Sequence, residues 1–187
     1  GQNDLRVFNG LIMNSSSIPY HASFDGNDDY IWNTSTGYGG NPFTVDLSAD
    51  FTIGQWVRVA LGNYAGTVCV MTGSFGGFLA SDIGSDGKWN VSASGTFGAS
   101  TKGGSSVTNN KWFYLSMSHD RSESRVDMYI DGAFHVSFTP VYTSGNWDGA
   151  KNLGFGHSIR NNPFNITSNS SLEVAKIYVW NRYWAAS

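Results

Sequence analysis

The sequence predicts an all-β chain folded as an antiparallel two-sheet β-sandwich, and three observations predict it. The 187 residues are 40% hydrophobic and 15% aromatic, yet only 13% charged, about half the usual share. Glu and Lys are scarce, with Glu123 and Glu173 the only glutamates, while Ser, Thr, Asn and 23 Gly abound. That balance disfavours helix and favours strands joined by tight turns. Apolar residues also recur with a period of two in short runs separated by turn formers, as in a sandwich or jelly roll. No long segment follows the helical period, a short final turn at Trp184-Ala185-Ala186 excepted.

Taken in order, residues 1–19 read as an N-terminal arm or edge strand, and residues 20–187 as one sandwich domain. His21 to Phe24 and Tyr30 to Trp32 are two short strands around the turn Asp25-Gly26-Asn27-Asp28. From Trp56 the alternation is clean: Trp56, Arg58 and Ala60 share one face, and Val57, Val59 and Leu61 the other. Val68 to Met71 is a short apolar strand, and Cys69 within it is a small core residue that has no partner for an internal disulfide. The runs at Gly77 to Ala80 and Trp89 to Ser92 flank the turn Ser85-Asp86-Gly87. The strongest alternation is Trp112 to His119, with Phe113, Leu115, Met117 and His119 on one face and Trp112, Tyr114, Ser116 and Ser118 on the other. Val126 to Ile130 and Phe134 to Phe138 flank Asp131-Gly132, a strong hairpin signal because Gly accepts positive φ. In that hairpin Val126, Met128 and Ile130 point inward. Leu153 to Gly156 and Leu172 to Trp180 supply the last strands.

Composition also excludes functions. The net charge is −3 and no Lys/Arg block or basic stripe occurs, so nothing points to nucleic acid. No apolar run is long enough for a membrane-spanning helix. Sequons occur at Asn14, Asn33, Asn90, Asn165 and Asn169, but in a chain this rich in Asn, Ser and Thr several arise by chance.

In order along the chain, Phe24 to Tyr30 resembles an early F-D-G-x-x-D-Y element, and Phe51 to Val57 an F-T-I-x-x-W-V strand. Asn110-Lys111-Trp112 with its strand, then Val126 to Gly132, resembles a W-strand followed by a Y-V-D-G hairpin. Leu172 to Arg182 is similar to a closing I-D-E-V-R-I-Y-N-R strand, with Ala175 where a charged residue is common and Trp180 inserted before Asn-Arg. Together these resemble the laminin-G-like branch of the concanavalin A-like lectin/glucanase superfamily, from Phe24 onward. The resemblance implies a concanavalin A-like jelly roll with loops at a rim or on a concave face. It implies no single function, because the fold hosts lectins, adhesion modules, hydrolases and viral surface domains.

Catalysis has little support. Glycan hydrolases place two carboxylates about the scissile bond, whereas Glu123 lies in a polar turn and Glu173 on the last strand. His119 alternates with core residues and reads as an interior hydrogen-bonded side chain. No catalytic residue is expected. No cofactor is required: Asp25, Asp28 and Asp29 read first as turn residues that cap their own backbone, and the alternative is a rim Ca²⁺ site formed by them with Asp120 from another hairpin. Asp82 to Gly87 is a plain hairpin turn, because it lacks the remaining ligands of a calcium loop. For ligand binding the candidates are loop aromatics: Tyr38, Phe75, Trp147 with Asp148, and Phe164, all among turn formers. Flat rings beside Asn and Asp suit sugars, whose C–H faces stack on rings; the competing reading is that they pin loops onto the sandwich ends or meet another subunit. Trp56, Trp112, Tyr129 and Tyr178 are assigned to the core or to inter-strand packing.

The leading expectation is a non-catalytic recognition or adhesion domain that binds a glycan or a protein surface. The alternative is a structural virion protein, a capsid decoration or tail/fibre domain, as a homo-oligomer or on a capsid or tail scaffold. A glycoside hydrolase comes third. The expected location is extracellular or on a virion surface.

Overall fold

The computed structural model describes residues 6–8, 12–14, 21–24, 30–32, 44–62, 65–71, 78–93, 100–140, 150–155 and 172–185. In chain order the strands are β1 (Arg6–Phe8), β2 (Ile12–Asn14), β3 (His21–Phe24), β4 (Tyr30–Trp32), β5 (Thr44–Asp46), β6 (Phe51–Val59), β7 (Ala65–Met71) and β8 (Phe78–Ile83). There follow β9 (Lys88–Ala93), β10 (Ser100–Ser106), β11 (Trp112–Asp120), β12 (Arg125–Ile130), β13 (Ala133–Phe138), β14 (Ala150–Phe155) and β15 (Leu172–Trp180). They form two antiparallel sheets. One has eight strands in the order β1-β4-β14-β7-β8-β9-β10, with β5 also on β14; the other has seven, β13-β12-β11-β6-β15-β3-β2.

The alternation sets the layers. Phe51, Ile53, Val57 and Val59 of β6 and Leu115 and Met117 of β11 enter the core, with Val126 and Met128 of β12 beside them. Ile83, Trp89, Val91 and Leu153 meet them from the eight-stranded sheet. The register sets Trp56 of β6 opposite Tyr114 of β11 and Arg58 opposite Trp112, all on the outer surface of the seven-stranded sheet. Asp131 and Gly132 take φ of 51° and 81°, the paired left-handed conformation of a tight hairpin turn between β12 and β13. The Asp131 carboxylate accepts the Tyr114 N–H at 2.8 Å, clipping that turn to β11. Ser85 to Gly87 is likewise the turn of the β8–β9 hairpin, as expected.

Two expectations are corrected. β3 and β4 do not pair across Asp25-Gly26: β3 lies between β15 and β2, and β4 between β1 and β14 in the opposite sheet. The turn residues mark a break in the strand, but the inter-sheet core divides the two halves. Residues 183–185 show no helical turn at the chain end, because the segment is held against the sheet by side chains described below. The arm gives an edge strand to each sheet, β1 on β4 and β2 on β3. Cys69 pairs through its backbone with Ala80 and Gly154, and its side chain lies outside the described residues. Asn90 is buried and donates to Asp82 at 2.8 Å, so this sequon is closed to modification in the folded chain.

His119 is fully buried, packed on Phe51 with ring centroids 4.8 Å apart, and its Nδ1–H donates to the Ala49 carbonyl at 2.9 Å. Burial lowers its pKa and outweighs the hydrogen bond to Ala49, so the folded state holds the ring neutral. Burial lowers His135 too. The unfolded chain, with His near 6.5, then takes up protons first as pH falls. The stabilisation is complete above about pH 6.5 and is lost as pH drops toward the folded-state values. Urea midpoints are expected to fall between pH 7.5 and 5.5, and to fall less in His119→Gln; a fall of equal size in that variant contradicts the assignment.

Candidate functional site

β6 carries outward-facing residues at Thr52, Gly54, Trp56 and Arg58, and their partners on β15 are Trp180, Tyr178, Ala175 and Glu173. Opposite them on β11 stand Ser118, Ser116, Tyr114 and Trp112. Three central strands therefore present an aromatic strip on one surface. Trp56 is 38% exposed, Tyr178 41% and Trp184 44%. Trp56 and Tyr114 approach to 5.5 Å between ring centroids, Tyr178 stacks on Trp180 at 5.5 Å and 15°, and Trp180 meets Trp184 at 5.4 Å.

Gly54 makes room for Tyr114 and Trp180 in the strip. A Cβ there would come within 2.0 Å of Tyr114 Oη, 2.8 Å of its Cζ and 3.2 Å of Trp180 Cζ3. The Tyr114 ring thus crosses β6 over the bare glycine toward Tyr178. Burial, with the neighbouring Tyr178, raises the Tyr114 pKa, so the phenol keeps its proton as a hydrogen-bond donor.

Polar groups frame the rings. Arg58 donates from Nε to Glu173 Oε2 at 2.6 Å and from Nη2 to Oε1, and its guanidinium lies 5.5 Å from the Trp112 ring centre. At the other end Thr52 Oγ1 donates to the Arg182 carbonyl at 2.8 Å, laying the chain end across the sheet. Tyr183 then bridges to β12: its hydroxyl donates to Asp127 and accepts from Arg125 Nη2 at 2.9 Å. Ser137 also donates to Asp127. Burial and the bond to Asp127 push the Tyr183 pKa well up. The Arg182 guanidinium sits 4.3 Å over Trp184.

Most of the residues singled out from sequence lie outside the described residues: Tyr38, Phe75, Trp147, Asp148 and Phe164, and the acids Asp25, Asp28 and Asp29. Asp120 is described, and it serves its own turn. It accepts from Ser122 Oγ at 2.8 Å and from the Glu123 N–H at 3.0 Å, with Arg125 at 3.7 Å. Burial alone would raise its pKa, but these partners outweigh it and lower it. Among the described residues no group of three or more His, Cys, Asp or Glu side chains converges as a metal site. Trp56 and Tyr178 do pack between strands, but neither is in the core; both face outward. Tyr129 is buried, and Trp112 is half-buried between Arg58 and His21. A glycine inside an otherwise alternating strand was the available signal for this face, since it marks close approach of another group.

Comparison with known proteins fits this architecture. A laminin G family model of the concanavalin A-like lectin/glucanases superfamily matches residues 25–168. No curated protein sequence matches the chain. Among solved structures, the binding domain of botulinum neurotoxin serotype D/C aligns with a TM-score of 0.67 and 14% identity, over 98% of this chain and 45% of that one. A botulinum neurotoxin type C structure, whose cell entry depends on two ganglioside molecules, aligns at 0.67 and 13%, over 98% and 44%. A Trypanosoma rangeli sialidase aligns at 0.64 and 12%, over 90% and 26%. The chain spans less than half the length of each of these structures, and at such identities the likeness concerns the fold. β15, which supplies Tyr178 and Trp180, lies beyond the segment the family model matches. With that match covering most of its length, the chain belongs to the concanavalin A-like lectin/glucanase superfamily.

Proposed function

We propose that the chain is a non-catalytic, lectin-like recognition domain that binds glycan on the outer face of the seven-stranded sheet, at a surface outside the cell. The observation that carries this reading is the partly exposed strip of Trp56, Tyr114, Tyr178, Trp180 and Trp184 gathered around Gly54. Rings of this kind offer stacking area for sugar C–H faces, and the flanking Arg58, Glu173 and Tyr114 hydroxyl offer hydrogen bonds. Ganglioside binding by the neurotoxin neighbour and the lectin description of the family support the same reading. Neither the family description nor these structures point to a virion.

The engagement of the described carboxylates supports a non-catalytic reading. Glycoside hydrolysis uses a pair about 5–10 Å apart, one accepting and one donating a proton or bond. On this face Glu173 is neutralised by Arg58, Asp127 is held by Arg125, Tyr183 and Ser137, and Asp120 is held by its turn. Glu123 lies in that turn.

A glycan array followed by calorimetry on the best hit tests this. Trp56→Ala and Tyr178→Ala are each expected to weaken binding at least about tenfold, roughly 1.4 kcal/mol, with the fold retained. Phe134→Ala, at a ring 60% exposed on β13, is expected to leave it unchanged. Trp147→Ala in the same assay measures the share of the loop rings. No hit on the array, or unchanged affinity in both strip variants, contradicts the proposal.

A further inference from the structure

The pairing of β15 with β6 slips between Ala175 and Tyr178, and Lys176 occupies the slip with φ of 48°. Strict alternation from Val174, which is buried in the core, would turn Lys176 inward and Tyr178 inward after it. The extra residue reverses this. Ile177 and Val179 pack on the core, while Lys176 and Tyr178 are exposed. A bulge re-aims side chains in this way and is frequent beside binding sites.

Glycine would adopt that backbone without strain and asparagine with little, whereas lysine costs roughly 1 kcal/mol or more. What lysine adds there is an exposed cation on the strand, next in sequence to Ala175, the partner of Trp56, and two residues before Tyr178. At the opposite end of the strip, the exposed Arg182 lies over Trp184 and carries the N–H fork that fits a carboxylate. Trp56 and Thr52, the partner of Trp180, are four residues apart on β6, about 13 Å along the strand. A cation therefore stands at each end of a short aromatic strip. The carboxylates nearby do not cancel them: Glu173 is engaged by Arg58 and Asp127 by Arg125.

Building on the glycan-binding reading, we propose that this face selects saccharides bearing a carboxylate, with the sugar ring on the Trp56–Tyr178–Trp180 surface and the acid on Lys176 or Arg182. A neutral chain would gain only the stacking; an acidic one gains a charge-assisted contact in addition.

The test titrates the whole chain with matched probes: 3′-sialyllactose against lactose, and an α-1,4-linked galacturonic acid trimer against the same trimer with its carboxylates reduced to alcohols. At low salt at least one acidic probe is expected to bind about tenfold or more tighter than its neutral partner, with the margin shrinking at high salt. Lys176→Asn removes the ammonium while keeping a residue suited to positive φ, and Arg182→Gln removes the guanidinium. With unchanged melting temperatures, at least one should erase most of the preference and leave neutral-sugar affinity as it was. Equal affinity for acid and neutral partners in both pairs, in a protein that scores on the glycan array, overturns this inference alone. Failure to bind any glycan overturns it together with the reading it rests on.

Discussion

Gly54→Ala is expected to cost about 2 kcal/mol of stability and at least about tenfold in sugar affinity. In most strands such a change helps, since glycine in a strand interior is about 0.5–1 kcal/mol worse than alanine. Here the new methyl would stand 2.0 Å from Tyr114 Oη and 2.8 Å from its Cζ, with Trp180 Cζ3 at 3.2 Å, so both rings crowd it. Tyr114 must leave the sheet or β6 must shift, and either change breaks the strip. For a chain of this length the loss corresponds to a melting temperature lower by roughly 4–8 °C. The cause is checked by a double-mutant cycle. In a Tyr114→Ala background Gly54→Ala should become neutral or stabilising, a coupling of about 2 kcal/mol. An equal cost in both backgrounds places the strain elsewhere.

Asp127→Ala is expected to destabilise by about 2–3 kcal/mol, and its effect reaches the binding face. Asp127 is buried, accepts from Ser137 and Tyr183, and lies 3.1 Å from Arg125 Nε. Arg125 is itself partly exposed, so water weakens that ion pair; most of the cost comes from two hydroxyl donors losing a charged acceptor. Asp127→Asn, which keeps an acceptor, should cost about half as much. Tyr183 is the tie that holds the chain end over the sheet, and Arg182 and Trp184 flank it. Releasing it should lower affinity for carboxylate-bearing sugars more than for neutral ones. Unchanged acid preference in a folded Asp127→Asn or Tyr183→Phe protein would show that the tie does not position Arg182.

The strands were legible because alternation is local. Trp112 to Asp120 and the Asp131-Gly132 hairpin emerge with the faces read from their residue order. Pairing between distant segments was less legible. Asp25-Gly26 looks like a hairpin turn, yet the strands it separates join opposite sheets, a choice made by the shared core rather than by the turn. The binding face was the hardest part to read. On β6 the outward face is Thr52, Gly54, Trp56 and Arg58, and its one large ring, Trp56, reads by its size as a packing residue. On β15 unbroken alternation from Val174 would set Tyr178 inward, and only the slip at Lys176 turns it outward. The loop rings Tyr38, Phe75, Trp147 and Phe164 lie outside the described residues, whereas the sheet rings are described. Two departures from the family's closing strand were the better signal. Ala175 is the small partner opposite Trp56, and Trp180 is the inserted ring that stacks on Tyr178.

The seven tryptophans allow the site to be located directly, since each indole N–H gives its own proton–nitrogen resonance. Titration with a saccharide that scores on the array should shift the signals of Trp56, Trp180 and Trp184 together and leave that of Trp89, buried in the core, in place. Shifts concentrated at Trp147, with the three strip indoles unmoved, would put the sugar on the loops and contradict the sheet-face site.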